Sequence, residues 1–295
     1  MTILAGFQPF RVTHDAITIA GAIGGSGPPL LLIHGYPQTH AMWHKIAPHL
    51  AQQFTVVAMD LRGYGDSSKP ATDAEHSPYS KRMMAQDAVY IMAHFGFDQF
   101  MVAGHDRGAR VVQRLCRDHP ARVQRAAVLD IVPTEHLYAT ADKAFATAYY
   151  HWFFFIQPFD LPERLIGADP AYYLQQKLAQ WGRTPTAFTP EAVAEYIRCF
   201  SDPATIHASC EDYRAAASID LAHDAADRTA LVQCPLLVLW GAQGFVGKQY
   251  DVLAIWREYA HDVRGHAVPG GHFLPEEAPT ETLRALHDFF AETGT

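Results

Sequence analysis

Cysteine is scarce in this chain: four residues, Cys116, Cys199, Cys210 and Cys234, stand far apart in 295, with no Cys-x-x-Cys pair. That spacing excludes a zinc ribbon or a dense disulfide framework and points to reduced thiols in a cytoplasmic protein. Basic charge is also in deficit, with Lys+Arg 23 against Asp+Glu 31 and a formal net charge of −8. Without a positive footprint, no general affinity for nucleic acid or an anionic membrane is expected. Long hydrophobic runs are missing. The most aromatic stretch, Tyr149 to Ile156, stops at Gln157-Pro158, far short of the roughly 20 residues that span a bilayer. Residues Met1 to Gly6 lack a basic segment leading into an apolar one, so no secretory signal is expected.

Two further absences concern ligands. The chain has 17 histidines but no His-Glu-x-x-His or comparable ligand run, and no metal or cofactor is expected. Gly24-Gly25-Ser26-Gly27-Pro28-Pro29 lacks the Lys-Ser/Thr of a phosphate loop and reads as a turn.

What is present is apolar. With 49% hydrophobic and 18% charged residues, the chain can bury a large core. Short apolar runs end in turn residues at Leu30–Ile33, Thr55–Met59, Phe100–Ala103, Ala126–Leu129 and Leu236–Trp240. Segments with helical spacing lie between or after them, including Met42–Ala51, Lys81–Phe95, Arg107–His119 and Thr280–Phe290. Strands alternating with helices predict a mostly parallel sheet covered on both faces. The alternation lapses between about Pro133 and Asp220, which predicts a helical cap at 134–220 inserted into a core domain of 1–133 and 221–295. Ligands of open parallel sheets bind beyond the carboxyl ends of the strands, so the residues just after each strand are the candidates for function.

After the strand ending at Ala103 comes Gly104-His105-Asp106-Arg107-Gly108 and then a helix. This is the Gly-x-nucleophile-x-Gly elbow, with Asp at the nucleophile position. Alone, it could be a βα turn with a carboxylate near a helix N-terminus. Three more motifs accompany it: His34-Gly35-Tyr36-Pro37, Asp60-Leu61-Arg62-Gly63-Tyr64-Gly65-Asp66-Ser67, and Pro269-Gly270-Gly271-His272-Phe273 before the last helix. Together they resemble the α/β-hydrolase family, with the chain order nucleophile, acid, His. No carboxylate follows Leu236–Trp240 within reach, whereas Asp130 closes the earlier strand; Asp130 is therefore the expected acid and His272 the base.

A carboxylate nucleophile is already ionised at neutral pH and attacks sp3 carbon by displacement, forming an ester that His272-activated water then hydrolyses. Backbone N–H groups of Tyr36 and Arg107 are the expected oxyanion donors. An Asp elbow points to dehalogenases or epoxide hydrolases, and the residue after it separates them. Arg107 opposes the helix dipole, so a local stabilising role explains it poorly. Arg110 lies three residues on, and two guanidinium groups beside Asp106 suit a substrate carboxylate. Both could instead pair with acids of the protein.

The chain at this point resembles the fluoroacetate (haloacetate) dehalogenases over essentially its full length. The matching segments are Gly104–Gly108 with Arg110, Val128–Thr134, His151-Trp152, Ile166–Pro170, Asp212–Ala215 and Pro269–Phe273. The resemblance implies Arg107 and Arg110 as carboxylate binders, His151, Trp152 and Tyr213 as halide donors, Trp181 as a pocket wall, a small anionic haloacid as substrate, and a homodimer. By residue type alone, His151-Trp152 in an aromatic helix reads as core packing. The chain departs from the family at Ala109, Val111, Val112 and Gln113, where smaller and more polar residues are usual, and at Tyr36, where Phe is common. Epoxide hydrolysis with cap tyrosines as ring-opening acids is the alternative reading.

Overall fold

The computed structural model describes residues 3–292. Eight strands form one sheet: β1 (Gln8–His14), β2 (Ile17–Gly24), β3 (Pro29–Ile33), β4 (Thr55–Met59), β5 (Phe100–His105), β6 (Val123–Leu129), β7 (Leu236–Gly241) and β8 (Val263–Val268). Their order is β1-β2-β4-β3-β5-β6-β7-β8. The first two pairings, β1 with β2 and β2 with β4, are antiparallel, and the rest are parallel. All five expected runs are strands. β3, β5 and β6 lie in the middle of the sheet and are almost wholly buried, because helices cover both faces.

Three strands escaped the sequence reading. β1 and β2 carry Thr, His, Arg and Gly, and β8 reads Val-Arg-Gly-His-Ala-Val with mostly exposed or half-exposed positions. Strands at the margins of a sheet need no continuous apolar run, so little marks them in sequence. The expected helix at Met42–Ala51 is instead a 3-10 turn, His40–Trp43, followed by one short turn, Ala47–Leu50. Helices Lys81–His94, Arg107–Asp118 and Pro279–Ala291 match their expected segments closely.

Between β6 and β7 no strand occurs among the described residues, and helices from Thr134–Ala139 to Ile219–Ala226 fill the interval. The expected boundary at 220/221 falls inside the last of these. That helix is tied to core helices: Asp220 accepts from the Lys81 N–H at 2.9 Å, and Asp224 and Asp227 pair with Arg117 and Arg114. Among the described residues, no helix is long and apolar enough to cross a membrane.

Candidate active site

The elbow depends on glycine. A Cβ on Gly104 would stand 2.6 Å from the Gly108 carbonyl carbon, and one on Gly35 would stand 2.5 Å from Asp106 Cβ. The absence of those side chains lets the loop His34–Pro37 and the helix Arg107–Asp118 close onto the end of β5. Asp106 itself has φ 47, a backbone region disfavoured for a side-chain-bearing residue, and lifts its carboxylate above the sheet. Its Oδ1 accepts the Tyr36 N–H at 3.0 Å.

The other two members of the expected triad converge on it. Asp130, at φ 54 just after β6, accepts the His272 Nδ1–H at 2.6 Å through Oδ2 and the Gly241 N–H at 2.9 Å through Oδ1. The N–H it takes comes from the strand where an acid is missing. The opposite nitrogen, His272 Nε2, lies 3.8 Å from Asp106 Oδ2. Burial disfavours the charged imidazole, but the bond to Asp130 and the charges of Asp130 and Asp106 outweigh it and raise the His272 pKa above the ordinary value. Burial likewise disfavours ionised Asp106, yet nearby His272, His105, Arg110 and Arg107 hold its carboxyl below the usual range. His105 ties the elbow to the His272 loop: burial and His272 pull its pKa down to about 3, and its Nε2–H donates to the His272 carbonyl at 2.8 Å.

The two arginines occupy different surroundings. Arg107 is 0% exposed and donates from Nε (2.9 Å) and one terminal nitrogen (2.5 Å) to Asp212, while its other terminal nitrogen is buried without a partner. Asp212 also accepts the Tyr64 hydroxyl at 2.7 Å and is paired with Lys81. Arg107 thus pairs in part with an acid of the protein, the alternative the sequence leaves open: three of its five donors go to Asp212 on the cap, two to the carboxylate and one to the backbone carbonyl. Arg110 reaches only neutral acceptors, the Val132 carbonyl at 3.0 Å and Thr134 Oγ1 at 2.9 Å, and its Nε is buried without a partner. Burial and the Arg107 charge pull its pKa down to about 10, which leaves it charged at neutral pH.

Over this floor lies an aromatic roof from the cap. Tyr213 packs against His151 and Trp152, with ring centroids 5.4 and 6.0 Å apart. Arg107 lies 4.2 Å over the Tyr213 ring and Arg110 4.7 Å over Trp152. Burial and the Lys177 ammonium keep His151 neutral, and burial keeps the Tyr213 hydroxyl protonated. Trp181 contacts His151 and His272, at 4.6 and 5.7 Å between centroids. The Nδ1 of His151 and Nε1 of Trp181 are both buried without partners. All the expected site residues therefore come together.

A cavity of about 190 Å³ opens beside His272, lined by Tyr149, Trp181, Phe245, Arg183 and Lys248 among others. It is smaller than the roughly 300–1,000 Å³ of drug-sized sites. A larger cavity, about 820 Å³, lies elsewhere, against Phe159, His207 and Arg214. Near it, the ligand atoms of Glu163, His207 and Glu211 lie within 4.8 Å of one another. Arg214 donates to Glu163 at 2.6 Å and to Glu211 at 2.7 Å, so a guanidinium already fills the cation position.

Asp212, Lys81, Glu276 and Glu277 were not recognised as site residues from the sequence. The Asp212–Ala215 segment was part of the family resemblance, but nothing local tied its acid to an arginine 105 residues away. Glu277 accepts four backbone N–H groups, from Gly271 (3.0 Å), Phe273 (2.9 Å), Arg183 (2.6 Å) and Thr184 (3.1 Å), and so fastens the His272 loop to the cap.

The family model for the alpha/beta hydrolase fold matches residues 28–279. The chain is 43% identical to a fluoroacetate dehalogenase from Burkholderia sp over 97% of its own length and 95% of that protein's. It is also 36% identical to a soluble epoxide hydrolase from Corynebacterium sp. (strain C12), over 95% and 98% of the two chains. A crystal structure from Nostoc sp PCC 7120, described as an alpha/beta hydrolase, superposes with a TM-score of 0.97 at 60% identity, covering 98% of this chain and all of that one. With an eight-stranded sheet of the same kind and an elbow, acid and histidine converging at its carboxyl edge, the chain is a hydrolase belonging to the alpha/beta hydrolase fold family.

Proposed function

We propose that the protein hydrolyses short 2-haloacids, converting a haloacetate such as fluoroacetate to glycolate and halide, with 1–133 and 221–295 as core and 134–220 as cap. One observation carries the reading: Arg110 is a buried guanidinium whose acceptors are all neutral and whose Nε has none. A buried charge with no carboxylate in contact is costly, and a substrate carboxylate compensates it. The buried free nitrogen of Arg107 adds a second donor, and Arg183 and Lys248 at the cavity rim favour an anion entering.

The proposed chemistry follows from which Asp106 oxygen is held. Oδ1 is bonded to the Tyr36 N–H. Oδ2 attacks the carbon bearing the halogen; the C–O bond forms, the C–X bond breaks, and halide leaves with the electron pair. Neutral N–H and O–H donors of His151, Trp152 and Tyr213 receive it, strengthening as charge develops. Water between His272 Nε2 and the ester then attacks the Asp106 carbonyl carbon and gives its proton to His272. Negative charge builds on Oδ1, facing the N–H of Tyr36 and that of Arg107, which as the first helical residue has no intrahelical partner. Collapse breaks the Cγ–Oδ2 bond as His272 returns its proton to the departing oxygen of glycolate, and the proton left on the new Asp106 acid is lost to solvent, which regenerates the carboxylate and the neutral imidazole. Asp130 orients His272 and offsets the charge it gains. No metal or cofactor takes part.

Halide release from fluoro-, chloro- and bromoacetate, with no turnover of styrene oxide, is the expected result; the reverse pattern overturns the proposal. Epoxide hydrolysis is the second reading, favoured by the protonated Tyr213 hydroxyl above Asp106 and by the similarity to an epoxide hydrolase. The proposal further takes the protein as a cytoplasmic homodimer. Its four thiols are unbonded, and Phe159, Leu161 and Leu165 expose 71%, 50% and 60% of their surface on the cap. Sedimentation of Leu161→Glu/Leu165→Glu as monomer is expected if that face pairs.

A further inference from the structure

Glu276 joins three segments that each carry part of the site. It belongs to the short helix Leu274–Glu277 that follows His272, and it is 1% exposed. Its Oε1 accepts Gln38 Nε2–H at 2.9 Å and also the Tyr196 hydroxyl. Gln38 lies two residues past Tyr36, whose N–H holds the nucleophile, and Tyr196 lies on the cap helix Pro190–Phe200. Core loop, base loop and cap therefore meet at one carboxyl group.

Two atoms in this cluster are buried without a hydrogen-bond partner, Glu276 Oε2 and Gln38 Oε1. If Glu276 were ionised, both would be acceptors, each lacking a donor in a dry interior, which is unfavourable for either one. Lys45, the cation of this neighbourhood, does not supply one: its ammonium donates to the backbone carbonyls of Glu276, at 2.9 Å, and of Ala187. A single proton resolves both vacancies. An acid O–H at Oε2 can donate to Gln38 Oε1 while Gln38 Nε2–H donates to Oε1, the reciprocal pairing of a carboxylic acid with a primary amide.

We propose that Glu276 is a positioning residue kept as the neutral acid, and that its proton locks Gln38, and through it the Tyr36 oxyanion loop, against the cap and the His272 loop. The groups facing it are Tyr196 from the cap, Lys45 and Gln38 from the segment around the oxyanion loop, and Glu277 beside it. Burial raises the Glu276 pKa to about 7; Glu277 adds to the rise, while Tyr196, Lys45 and Gln38 only partly offset it. The proton leaves to solvent near neutrality. The lock then opens, because two acceptors face each other where a donor stood.

The proposal rests on the haloacid reading only for its kinetic readout, and three measurements separate the two. First, infrared spectra of the whole protein at pH 6 are expected to show a buried carboxylic-acid carbonyl band that is absent in Glu276→Gln and fades as wild type is taken above about pH 7. Second, the hydrogen-exchange protection of the amides in residues 34–39, taken relative to the intrinsic base-catalysed rate at each pH, is expected to fall about tenfold across that range in wild type and to stay constant in Glu276→Gln, whose amide keeps a neutral donor and acceptor. Third, for halide release, kcat of wild type relative to Glu276→Gln is expected to fall about tenfold over the same range, with KM little changed. A band that titrates with ordinary carboxylates, or protection of residues 34–39 that changes no more with pH in wild type than in Glu276→Gln, overturns the proposal. If haloacids are not turned over at all, the haloacid reading fails while the first two measurements still decide this one.

Discussion

The floor and the roof of the site are built on opposite principles. The floor consists of ionisable groups, Asp106, Asp130, His272, Arg107 and Arg110, each set at the end of a strand, in a turn or at the start of a helix and held by backbone N–H and carbonyl groups or by one specific carboxylate. The roof consists of neutral rings, His151, Trp152, Tyr213 and Trp181, held mainly by one another. Charges tolerate little displacement, because their buried partners are few and specific; stacked rings have many near-equivalent contacts. In the proposed reaction, the chemistry that makes and breaks covalent bonds would therefore sit on the core, and the chemistry that tunes a leaving group on the cap.

That contrast predicts a ranking of substitutions. The largest loss is expected for Asp106→Asn, about 10⁴-fold or more in kcat by comparison with other nucleophile removals, measured as halide release. Next, His272→Ala is expected to release one equivalent of halide and stop, leaving a carboxymethyl ester on Asp106 that mass spectrometry detects; turnover without an adduct would sink the assignment of the base. The two arginines should then split. Arg107→Met strands Asp212 with only Lys81 and Tyr64, so a loss of about 3 kcal/mol in denaturant unfolding is expected together with lost activity. Arg110→Met removes a charge that makes no salt-bridge contact and acts on Asp106 only through its field, so stability within about 1 kcal/mol of wild type is expected, with kcat/KM for haloacetate down roughly 10–100-fold.

The roof should give the smallest effects. Tyr213→Phe keeps the ring and loses one donor, for which about tenfold slower fluoride release is expected and less for bromide, a comparison made on one enzyme preparation. The pH dependence sharpens the same division. Asp106 is held below the usual carboxylate range, so the halide burst is expected to be flat across neutral pH. His272 is raised above the ordinary imidazole value, so ester hydrolysis is expected to accelerate as pH rises through that raised folded-state value and frees the neutral base. The accompanying stability runs the other way: the His272 contribution is complete below 6.5 and is lost as pH rises through the folded-state value.

Much of the floor was legible in the sequence because it is local. The elbow is five consecutive residues, and each of Tyr36, Asp130 and His272 stands within a few residues of a recognisable strand or glycine turn. The central strands were legible for the same reason, as unbroken apolar runs. What escaped was set by distance or by partial exposure. Asp212 became the partner of Arg107 only when the cap folded over, and Glu276 met Gln38 across 238 residues. β1, β2 and β8 show too little apolar continuity to stand out, and the cap donors were read from family resemblance, since an aromatic helix alone says only that something is packed.

The cationic rim of the small cavity bears on traffic through the proposed enzyme. Each cycle would admit one anion and release two, halide and glycolate, past the same Arg183 and Lys248. Attraction that speeds entry also delays departure, and salt weakens both over a screening length of about 8–10 Å. Rising ionic strength should then lower kcat/KM while raising kcat wherever exit limits turnover. The rim would set which side of the cycle is slow, although neither residue touches the bond that breaks.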